Sequence, residues 1–247
     1  MSTKFHVTGA TGYLGSELVR LRPDASTERV EIRDAAAVRE LFGRLRPETV
    51  IHTAYRQENA TVNVEGSENV ALAAAAVGAR LVHLSSDVVF DGLKGEPYVE
   101  DDPLSAVNEY GASKAEAEHR VAAAHPDALI VRTSLIVAGA QQWAQPSKHE
   151  LAATGPGPWF TNEVRSPVQL TDLALALLEL AELDVAGPLH VAGADGVSRA
   201  ELAELIAGRP VLTAEAPLTR PLDCRLDSTR AQALIRTRLR GVREVLR

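Results

Sequence analysis

Three glycines, spaced three residues apart, separate a predicted strand from a predicted helix near the start of the chain. The segment TGATGYLG places Gly9, Gly12 and Gly15 between the apolar strand 4–9 and the helix 13–20. In such a turn the first glycine permits a tight bend, the second lets the backbone approach a ligand, and the third permits close packing of helix on sheet. The N–H groups at the helix N-terminus favour a pyrophosphate. The pattern predicts a dinucleotide-binding turn, with three ordinary turn glycines as the alternative.

Apolar segments of strand length alternate with helical segments along the chain. The predicted strands are 4–9, 29–32, 49–54, 80–86, 128–137 and 188–193. The predicted helices are 13–20, 34–47, 61–79, 108–125, 171–183 and 198–207, followed by a basic C-terminal helix. Strands joined by helix-length crossovers indicate an α/β fold with a doubly wound, parallel, Rossmann-like sheet.

The composition changes after residue 138, where Gly, Pro and polar residues become frequent. This change predicts a dinucleotide-binding domain over 1–138 and a smaller α/β substrate-binding region over 139–247, with the chain able to cross back between the two. We find no internal repeat or low-complexity block that would indicate a different architecture.

Charge and cysteine content exclude several classes of protein. The net charge of −7 argues against a general nucleic-acid binder, which needs a basic face. Cys224 is the single cysteine and cannot form an internal disulfide, which fits a reducing compartment. No signal-type segment precedes the first predicted strand, and no apolar run reaches the length of a membrane span. We therefore expect a cytoplasmic protein with no membrane or nucleic-acid partner, and we leave a homodimer open.

The candidate catalytic residues lie at the end of one predicted strand and on the helix that follows. Tyr110 and Lys114 are four residues apart, so they share a helix face. Ser86 follows the strand, at the sheet edge where ligands of open α/β sheets bind, and Ser85 is the alternative hydroxyl. A lysine ammonium lowers the pKa of a nearby phenol, and a serine hydroxyl can hold a carbonyl. The set predicts proton transfer by Tyr110 to a carbonyl that receives a hydride.

These motifs resemble the extended short-chain dehydrogenase/reductase superfamily, and within it the dTDP-4-dehydrorhamnose reductase family. The glycine spacing G-x-x-G-x-x-G, the segment SSDVVFDG (85–92) and the segment RPLDCRLDSTR (220–230) carry the resemblance. It implies NAD(P)H-dependent reduction of a nucleotide-diphospho-4-keto-6-deoxy sugar. Ser86 and Tyr110 would act on the carbonyl, and Lys114 would also hold the nicotinamide ribose. Asp87 is followed by Val88 where dehydratases carry a second acid, which argues against a dehydratase.

The resemblance also implies a substrate site made by side chains from both halves of the chain. Arg165 matches a position where an arginine faces the substrate diphosphate, with a surface salt bridge as the alternative. The other implied substrate-binding residues are Ser86, Asp87 and Arg220. Leu135 and Val137 replace aromatic residues that the family carries near the substrate, and Trp143 and Trp159 are candidates to replace that surface, with core packing as the alternative.

The expected cofactor contacts cluster in the first 63 residues, together with Lys114. They are Gly9, Thr11, Gly12, Tyr13, Leu14, Arg22, Glu31, Ile32, Thr53, Ala54, Tyr55, Asn63 and Lys114. Arg22 could bind the 2′-phosphate of NADP(H), which favours that cofactor. Asp24 could instead bind the ribose hydroxyl of NAD(H). Three histidines, His6, His52 and His83, lie in predicted strands, so we expect them in the core. No residue spacing indicates a metal site.

Two alternatives to the reductase remain open from the sequence. One is an NAD(P)-dependent sugar-nucleotide epimerase, or a reductase of another small carbonyl. The other is a non-catalytic, cofactor-binding regulatory subunit on the same fold, which the short segment after the glycine turn favours and the Tyr110–Lys114 pair opposes.

Overall fold

The computed structural model describes residues 4–139, 146–153, 155 and 157–247. Its strands are β1 (Phe5–Thr8), β2 (Thr49–His52), β3 (Arg80–Leu84), β4 (Leu129–Arg132), β5 (Ile136–Val137), β6 (Trp159–Phe160), β7 (Val164–Arg165), β8 (Val168–Gln169), β9 (Gly187–His190), β10 (Val197–Ser198) and β11 (Thr213–Ala214). Its helices are α1 (Tyr13–Leu21), α2 (Ala35–Leu45), α3 (Ala60–Val77), α4 (Glu109–Ala124), α5 (Lys148–Ala153), α6 (Leu170–Ala181), α7 (Arg199–Ala207), α8 (Thr229–Leu234) and α9 (Val242–Val245).

Five of the strands form one sheet in the order β1-β2-β3-β4-β9. The pairs β1–β2, β2–β3 and β3–β4 are parallel. Every residue of β1, β2 and β4 is buried, as expected for strands covered on both faces. The predicted parallel α/β fold is therefore confirmed, and strand ends that precede helices are gathered at one edge of the sheet.

Local sequence signals explain where the predicted helices begin and end. The Asp34 side chain accepts hydrogen bonds from the backbone N–H groups of Ala36 and Ala37, both at 3.0 Å, and so caps α2. Gly78 ends α3 with φ of 68°, a left-handed conformation that favours glycine. α3 packs against α2 and α4, and the buried apolar residues of these helices form a core with the sheet.

The predicted strand 29–32 is wrong. Only Ser26 pairs with the edge of β1, through Ser26 N to Phe5 O at 2.8 Å and Val7 N to Ser26 O at 3.0 Å. The residues that follow form no strand, and Glu28, Arg29 and Glu31 are exposed. With Pro23 before it and little apolar surface to bury, this segment cannot extend the sheet.

Two other elements differ from the sequence prediction. The predicted strand 128–137 is interrupted, because the chain leaves the sheet after Arg132 and its later part pairs as β5 with β8. The predicted basic C-terminal helix is two short helices, α8 and α9, separated by residues without helical structure. Gly241 is the N-cap residue of α9.

By packing, the chain divides into two compact units whose segments alternate along the sequence. The first unit contains Met1–Ser85, Glu109–Val131 and Leu177–Leu189. The second contains Ser86–Asn108, Arg132–Ala176 and His190–Arg247. The domain boundary after residue 138 stays a prediction. None of the helices in the described ranges is both long and apolar enough to cross a bilayer.

Candidate active site

The glycine turn of the first unit requires glycine for steric reasons. Gly9 has φ of 71°, and a Cβ on it would lie 2.7 Å from the backbone nitrogen of Ala54. A Cβ on Gly15 would lie 2.1 Å from the Gly9 carbonyl oxygen, so this glycine lets α1 pack closely on the turn. Gly12 is the N-cap of α1, and no side chain caps this end of the helix. The first N–H groups of α1 are therefore available to an anion.

A cleft of about 690 Å³ opens beside this turn. Its lining includes many of the predicted cofactor residues, namely Gly9, Thr11, Gly12, Glu31, Ile32, Thr53, Ala54 and Tyr55. Tyr13 and Leu14 belong to the first turn of α1 instead, and Leu14 is buried there. The volume is in the range of small-molecule and cofactor sites. The cleft is the place in this unit where a dinucleotide would fit.

Arg22, the predicted 2′-phosphate contact, is held away from the cleft lining. Its guanidinium bonds Asp24 at 3.1 and 3.2 Å and lies 4.0 Å from the centre of the Phe5 ring. The arginines that line the cleft are Arg29, Arg33 and Arg56. The sequence prediction missed them because it sought the ribose contact at Arg22 and Asp24, whereas the cleft is lined by residues 27–33 and 53–56.

Tyr110 and Lys114 lie on α4, as the helical spacing predicted. Lys114 is buried, with 3% of its surface exposed, and its ammonium donates a hydrogen bond to the carbonyl of Leu84 at the end of β3. Burial lowers the pKa of Lys114 to about 8, and the Glu118 carboxylate opposes that shift. Tyr110 is half-buried, and its ring centre lies 6.0 Å from that of Tyr55 in the cleft lining.

Asn63, on α3, forms hydrogen bonds both with α4 and with the cleft lining. Its side-chain amide donates to Ser113 Oγ at 3.0 Å and to the carbonyl of Arg56 at 2.9 Å, and its oxygen accepts from Arg56 N at 2.9 Å. Ser113 in turn donates to the carbonyl of Tyr110 at 2.8 Å. Asn63 therefore fixes the backbone of Arg56 in the cleft lining and contacts α4 through Ser113, while Asn63 itself does not line the cleft.

Polar groups buried beneath Lys114 continue across the sheet. His52 bonds Thr8 Oγ1 at 2.5 Å and Ser67 Oγ at 3.1 Å. The His83 ring lies 5.3 Å from that of His52. Burial lowers the pKa of His52 to about 3 and that of His83 well below its usual value, so both imidazoles are neutral at pH 7. No cluster of three or more potential metal ligands occurs in the described ranges.

Glu118 is a buried residue that sequence reasoning missed. It lies one helical turn after Lys114 on α4, is 3% exposed, and accepts a hydrogen bond from Ser85 Oγ. The signal was available, because an acid four residues after a lysine shares its helix face. The structure thus uses the Ser85 hydroxyl internally, which leaves Ser86 as the candidate for the substrate carbonyl.

Ser86 and Asp87 begin the second unit. Ser86 is the N-cap of a single 3-10 turn over Asp87–Val89, where its hydroxyl lies 3.2 Å from Asp87 Oδ1. Asp87 is 2% exposed and accepts from Ser134 Oγ at 2.5 Å. Burial raises the pKa of Asp87, and the Arg165 guanidinium, 3.6 Å away, opposes that shift.

Arg165, predicted to face the substrate diphosphate, is a buried cation in this structure. It is 2% exposed, and its guanidinium donates to the carbonyls of Leu222 at 2.5 Å and Pro221 at 2.8 Å. It also lies 3.3 Å from the Glu163 carboxylate. These acceptors engage both terminal nitrogens of the guanidinium, and its role toward the substrate diphosphate stays a prediction.

Arg220 keeps more of its surface in solvent. Its side chain is 47% exposed, bonds Glu163 at 2.8 Å, and lies 5.0 Å over the Phe160 ring. Arg199, missed by sequence reasoning, lies 5.4 Å over the Trp159 ring. Trp143, the other predicted aromatic replacement, lies outside the described residues.

The sequence matches known proteins along nearly its whole length. A family model described as the RmlD substrate binding domain matches residues 3–247. The probable low-salt glycan biosynthesis reductase Agl14 of Haloferax volcanii is 32% identical, over 81% of this chain and 78% of that protein. The dTDP-4-dehydrorhamnose reductase of Mycobacterium tuberculosis is 32% identical, over 80% of this chain and 72% of that protein.

A solved structure extends this likeness to the fold. The dTDP-4-dehydrorhamnose reductase of Bacillus anthracis, in complex with NADP, superposes with a TM-score of 0.88 at 25% identity, over 100% of this chain and 96% of that chain. The resemblance inferred from the glycine turn and the Tyr110–Lys114 pair is confirmed. The chain belongs to the RmlD-like family of extended short-chain dehydrogenases/reductases.

Proposed function

We propose that this protein is an NAD(P)H-dependent reductase of a nucleotide-diphospho-4-keto-6-deoxy sugar. The observation that carries the proposal is the pair on α4, in which half-buried Tyr110 precedes buried Lys114 by one helical turn. The names of the reductase relatives supply the substrate class. Ser86, Tyr110 and Lys114 keep the roles that the family resemblance implies. The contact with the 2′-phosphate is reassigned from Arg22 to arginines that line the cleft.

The cleft beside the glycine turn fits a dinucleotide. Gly9 lets the turn pack closely against Thr53 and Ala54 at the end of β2, and the N-terminus of α1 offers N–H groups to a pyrophosphate. Ile32 supplies an apolar wall, and Thr53 and Ala54 line the end of β2. A reduced nicotinamide, when bound, supplies the hydride. The chain's own residues bind and orient it.

The same cleft supports a preference for NADP(H), assigned to Arg29 and Arg56 in place of Arg22. Glu31 is bonded to Arg33 at 2.9 Å, and Glu28 is bonded to Arg44. The two carboxylates of this segment are therefore neutralised, whereas Arg29 and Arg56 add positive charge to the cleft lining. A guanidinium is suited to a 2′-phosphate because its planar fork matches phosphate oxygens.

Tyr110 is the proton donor in this proposal. A phenol has an ordinary pKa of about 10 and is a poor acid at neutral pH without help. With a pKa of about 8, Lys114 is largely protonated at pH 7, and its positive charge stabilises the phenolate that remains after proton transfer. Ser86 holds the substrate carbonyl through its hydroxyl, and Asp87 lies beside that hydroxyl.

The direct test is loss of NADPH absorbance when the purified protein is mixed with dTDP-4-dehydrorhamnose or related 4-keto sugar nucleotides. The proposal expects turnover that depends on both the sugar and the protein. Inertness toward all such sugars, with NADPH still bound, would instead support the non-catalytic subunit. A tightly retained oxidised cofactor after purification, with interconversion of sugar epimers, would support the epimerase.

A further inference from the structure

Three arginines of the second unit surround two carboxylates, and we call Arg165, Arg199 and Arg220 the arginine cluster. Glu163 lies 3.3 Å from Arg165 and 2.8 Å from Arg220. Asp87 lies 3.6 Å from Arg165. Glu163 is thus paired with two members of the cluster and Asp87 with one, so the three arginines and two carboxylates together carry one net positive charge.

Arg199 is the member that lacks an acceptor. It is the first residue of α7, and its backbone N–H donates to the carbonyl of Glu163 at 2.8 Å, which fixes its position next to the antiparallel pair β7–β10. Its guanidinium lies over Trp159, and its Nη1 is buried with no hydrogen-bond partner among the residues that the structure describes. Burial also lowers the pKa of Arg199.

The charges around Arg199 are mixed, because the Glu163 and Asp87 carboxylates attract its guanidinium and Arg165 and Arg220 repel it. The pKa of His149 is lowered to about 3, first by burial and then by the charges of Arg199, Lys148 and Arg165. That imidazole is therefore neutral at pH 7 and adds no charge of its own. A buried cation without an acceptor is costly, and a buried site with excess positive charge favours an anionic ligand.

We propose that Arg199 binds a phosphate of the nucleoside diphosphate portion of the substrate, with Arg220 as a more exposed second contact. This inference rests on the proposed function, since it names the residue that holds the substrate's anionic group. The Trp159 ring beneath Arg199 orients the guanidinium plane, and a planar fork suits phosphate oxygens. Arg165 is less available to a phosphate, because backbone carbonyls and Glu163 already engage its fork.

Trp159 provides a fluorescence reporter for the test. The chain has two tryptophans, so a Trp143→Phe background leaves Trp159 as the single emitter. In that background we expect dTDP to change the emission and to bind, and thymidine, which lacks phosphate, to bind more weakly. Arg199→Met is expected to weaken dTDP binding by about tenfold or more, the loss expected for a hydrogen bond to a charged group. The dTDP affinity of Arg199→Lys, which keeps the positive charge but loses the planar guanidinium, is expected to lie between those of the background protein and Arg199→Met.

Matched measurements separate binding from folding. Arg209→Gln removes an exposed arginine just after α7 and is expected to leave dTDP binding unchanged. Arg199→Met is expected to leave the melting temperature of the ligand-free protein about unchanged, because it removes a half-buried cation whose Nη1 is unpaired among the described residues and keeps an unbranched side chain of similar length against Trp159. A strong fall in that temperature, together with equal losses for thymidine and dTDP, would make Arg199 structural and overturn the inference.

The remaining outcomes are also decisive. Binding of dTDP to Arg199→Met within twofold of the background protein, or no binding of dTDP to the background protein, would overturn the inference. Inorganic pyrophosphate that binds through Arg199 as tightly as dTDP would show a site for free phosphate and overturn the nucleotide assignment. Binding of dTDP that depends on Arg199, in a protein that never oxidises NADPH with a 4-keto sugar, would support this site and reject the proposed reduction.

Discussion

In the first unit the buried charged and imidazole side chains around Lys114 lie within regular elements, whereas in the second unit Glu163 and Arg199 lie beside strands of two residues. His52 and His83 are in consecutive parallel strands, and Lys114 and Glu118 share one face of a 16-residue helix. In the second unit, Glu163 precedes the two-residue strand β7, and Arg199 follows the two-residue strand β10. The first arrangement follows from helix and strand periodicity, and the second exists only once the two short strands have paired.

This difference separates two ways of placing charge. A helix places residues i and i+4 on one face whatever surrounds it, so the relation of Lys114 to Glu118 needs no tertiary information. The guanidinium of Arg165 is held instead by carbonyls more than 50 positions away, at Pro221 and Leu222.

Removing the Tyr110 hydroxyl tests the periodic arrangement most severely. Tyr110→Phe is expected to lower kcat for reduction by about 10³-fold, the contribution of a general acid. The dissociation constant for NADPH, measured by calorimetry, and the melting temperature are expected to stay unchanged, because the ring and its packing remain. Turnover near the wild-type rate would reject the helix-face assignment of the proton donor.

The arginines that line the cleft of the first unit lie outside regular helices and strands, and they give the next largest effect. Arg29→Gln combined with Arg56→Gln is expected to weaken NADPH binding by about tenfold while NADH binding changes little, because each charge-assisted contact to the 2′-phosphate is worth roughly 1.5–3 kcal/mol before solvent screening. Calorimetric titration with both cofactors measures the ratio.

Arg39→Gln, an exposed change on α2 away from the cleft lining, is the matched control and should leave both affinities unchanged. If Arg22→Gln removed the preference while the double variant kept it, the assignment made from the sequence would be right and the assignment to the cleft arginines would be wrong. Equal weakening of NADH and NADPH would indicate a loss of cleft structure, without a 2′-phosphate contact.

The sequence predicted the fold where local signals were sufficient. Asp34 caps the start of α2 and Gly78 ends α3, as expected for these two residue types at helix ends. The apolar segments of β1, β2 and β3 form buried parallel strands. The turn glycines could also be predicted, because the backbone geometry at Gly9 allows no other residue without a clash. The family followed from the same motifs.

The rest depended on tertiary pairing that periodicity does not encode. Whether residues 29–32 formed a strand depended on an edge partner, and the segment pairs with β1 at Ser26 alone. The environment of Arg165 depended on the carbonyls of Pro221 and Leu222, which come from a segment more than 50 positions further along the chain. Spacing along the chain was therefore informative within an element and uninformative between loops distant in sequence.

Glu118 tests whether the buried carboxylate supports the charge of Lys114. Glu118→Gln removes an attraction for the ammonium, so the pKa of Lys114 is expected to fall further below about 8, by roughly one unit. The neutral His52 and His83 beside the lysine cannot replace that charge. Activity that needs the ammonium is then expected to decline at a lower pH than in the wild type, with a change of only a few fold at neutral pH. The pH dependence of kcat measures the shift.

Glu116→Gln on the same helix is the matched control, because Glu116 is exposed and pairs with Arg120 at 2.8 Å. Its pH profile is expected to match the wild type. An unchanged profile for Glu118→Gln would mean that Glu118 has a packing role through Ser85 only, whereas a fall in rate that is equal at every pH would indicate misplacement of α4.

His83 is expected to affect stability at acidic pH and to have the smallest effect on catalysis, because it makes no described contact with the cleft. Both ring nitrogens of His83 are buried without a hydrogen-bond partner among the described residues, and burial lowers its pKa well below 6.5. Below pH 6.5 the unfolded chain takes up a proton at this residue and the folded chain does not, so the free energy of unfolding falls by about 1.4 kcal/mol for each unit by which the pH is lowered.

The variant His83→Leu removes that loss of stability. Between pH 6.5 and 5, denaturant unfolding is expected to show about 2 kcal/mol less destabilisation in the variant than in the wild type. His119→Leu, at an exposed position of α4, should keep the wild-type slope. If His83→Leu also kept the wild-type slope, the His83 imidazole would be able to take up a proton in the folded state. The buried strand β3 would then be more accessible to water than its packing indicates.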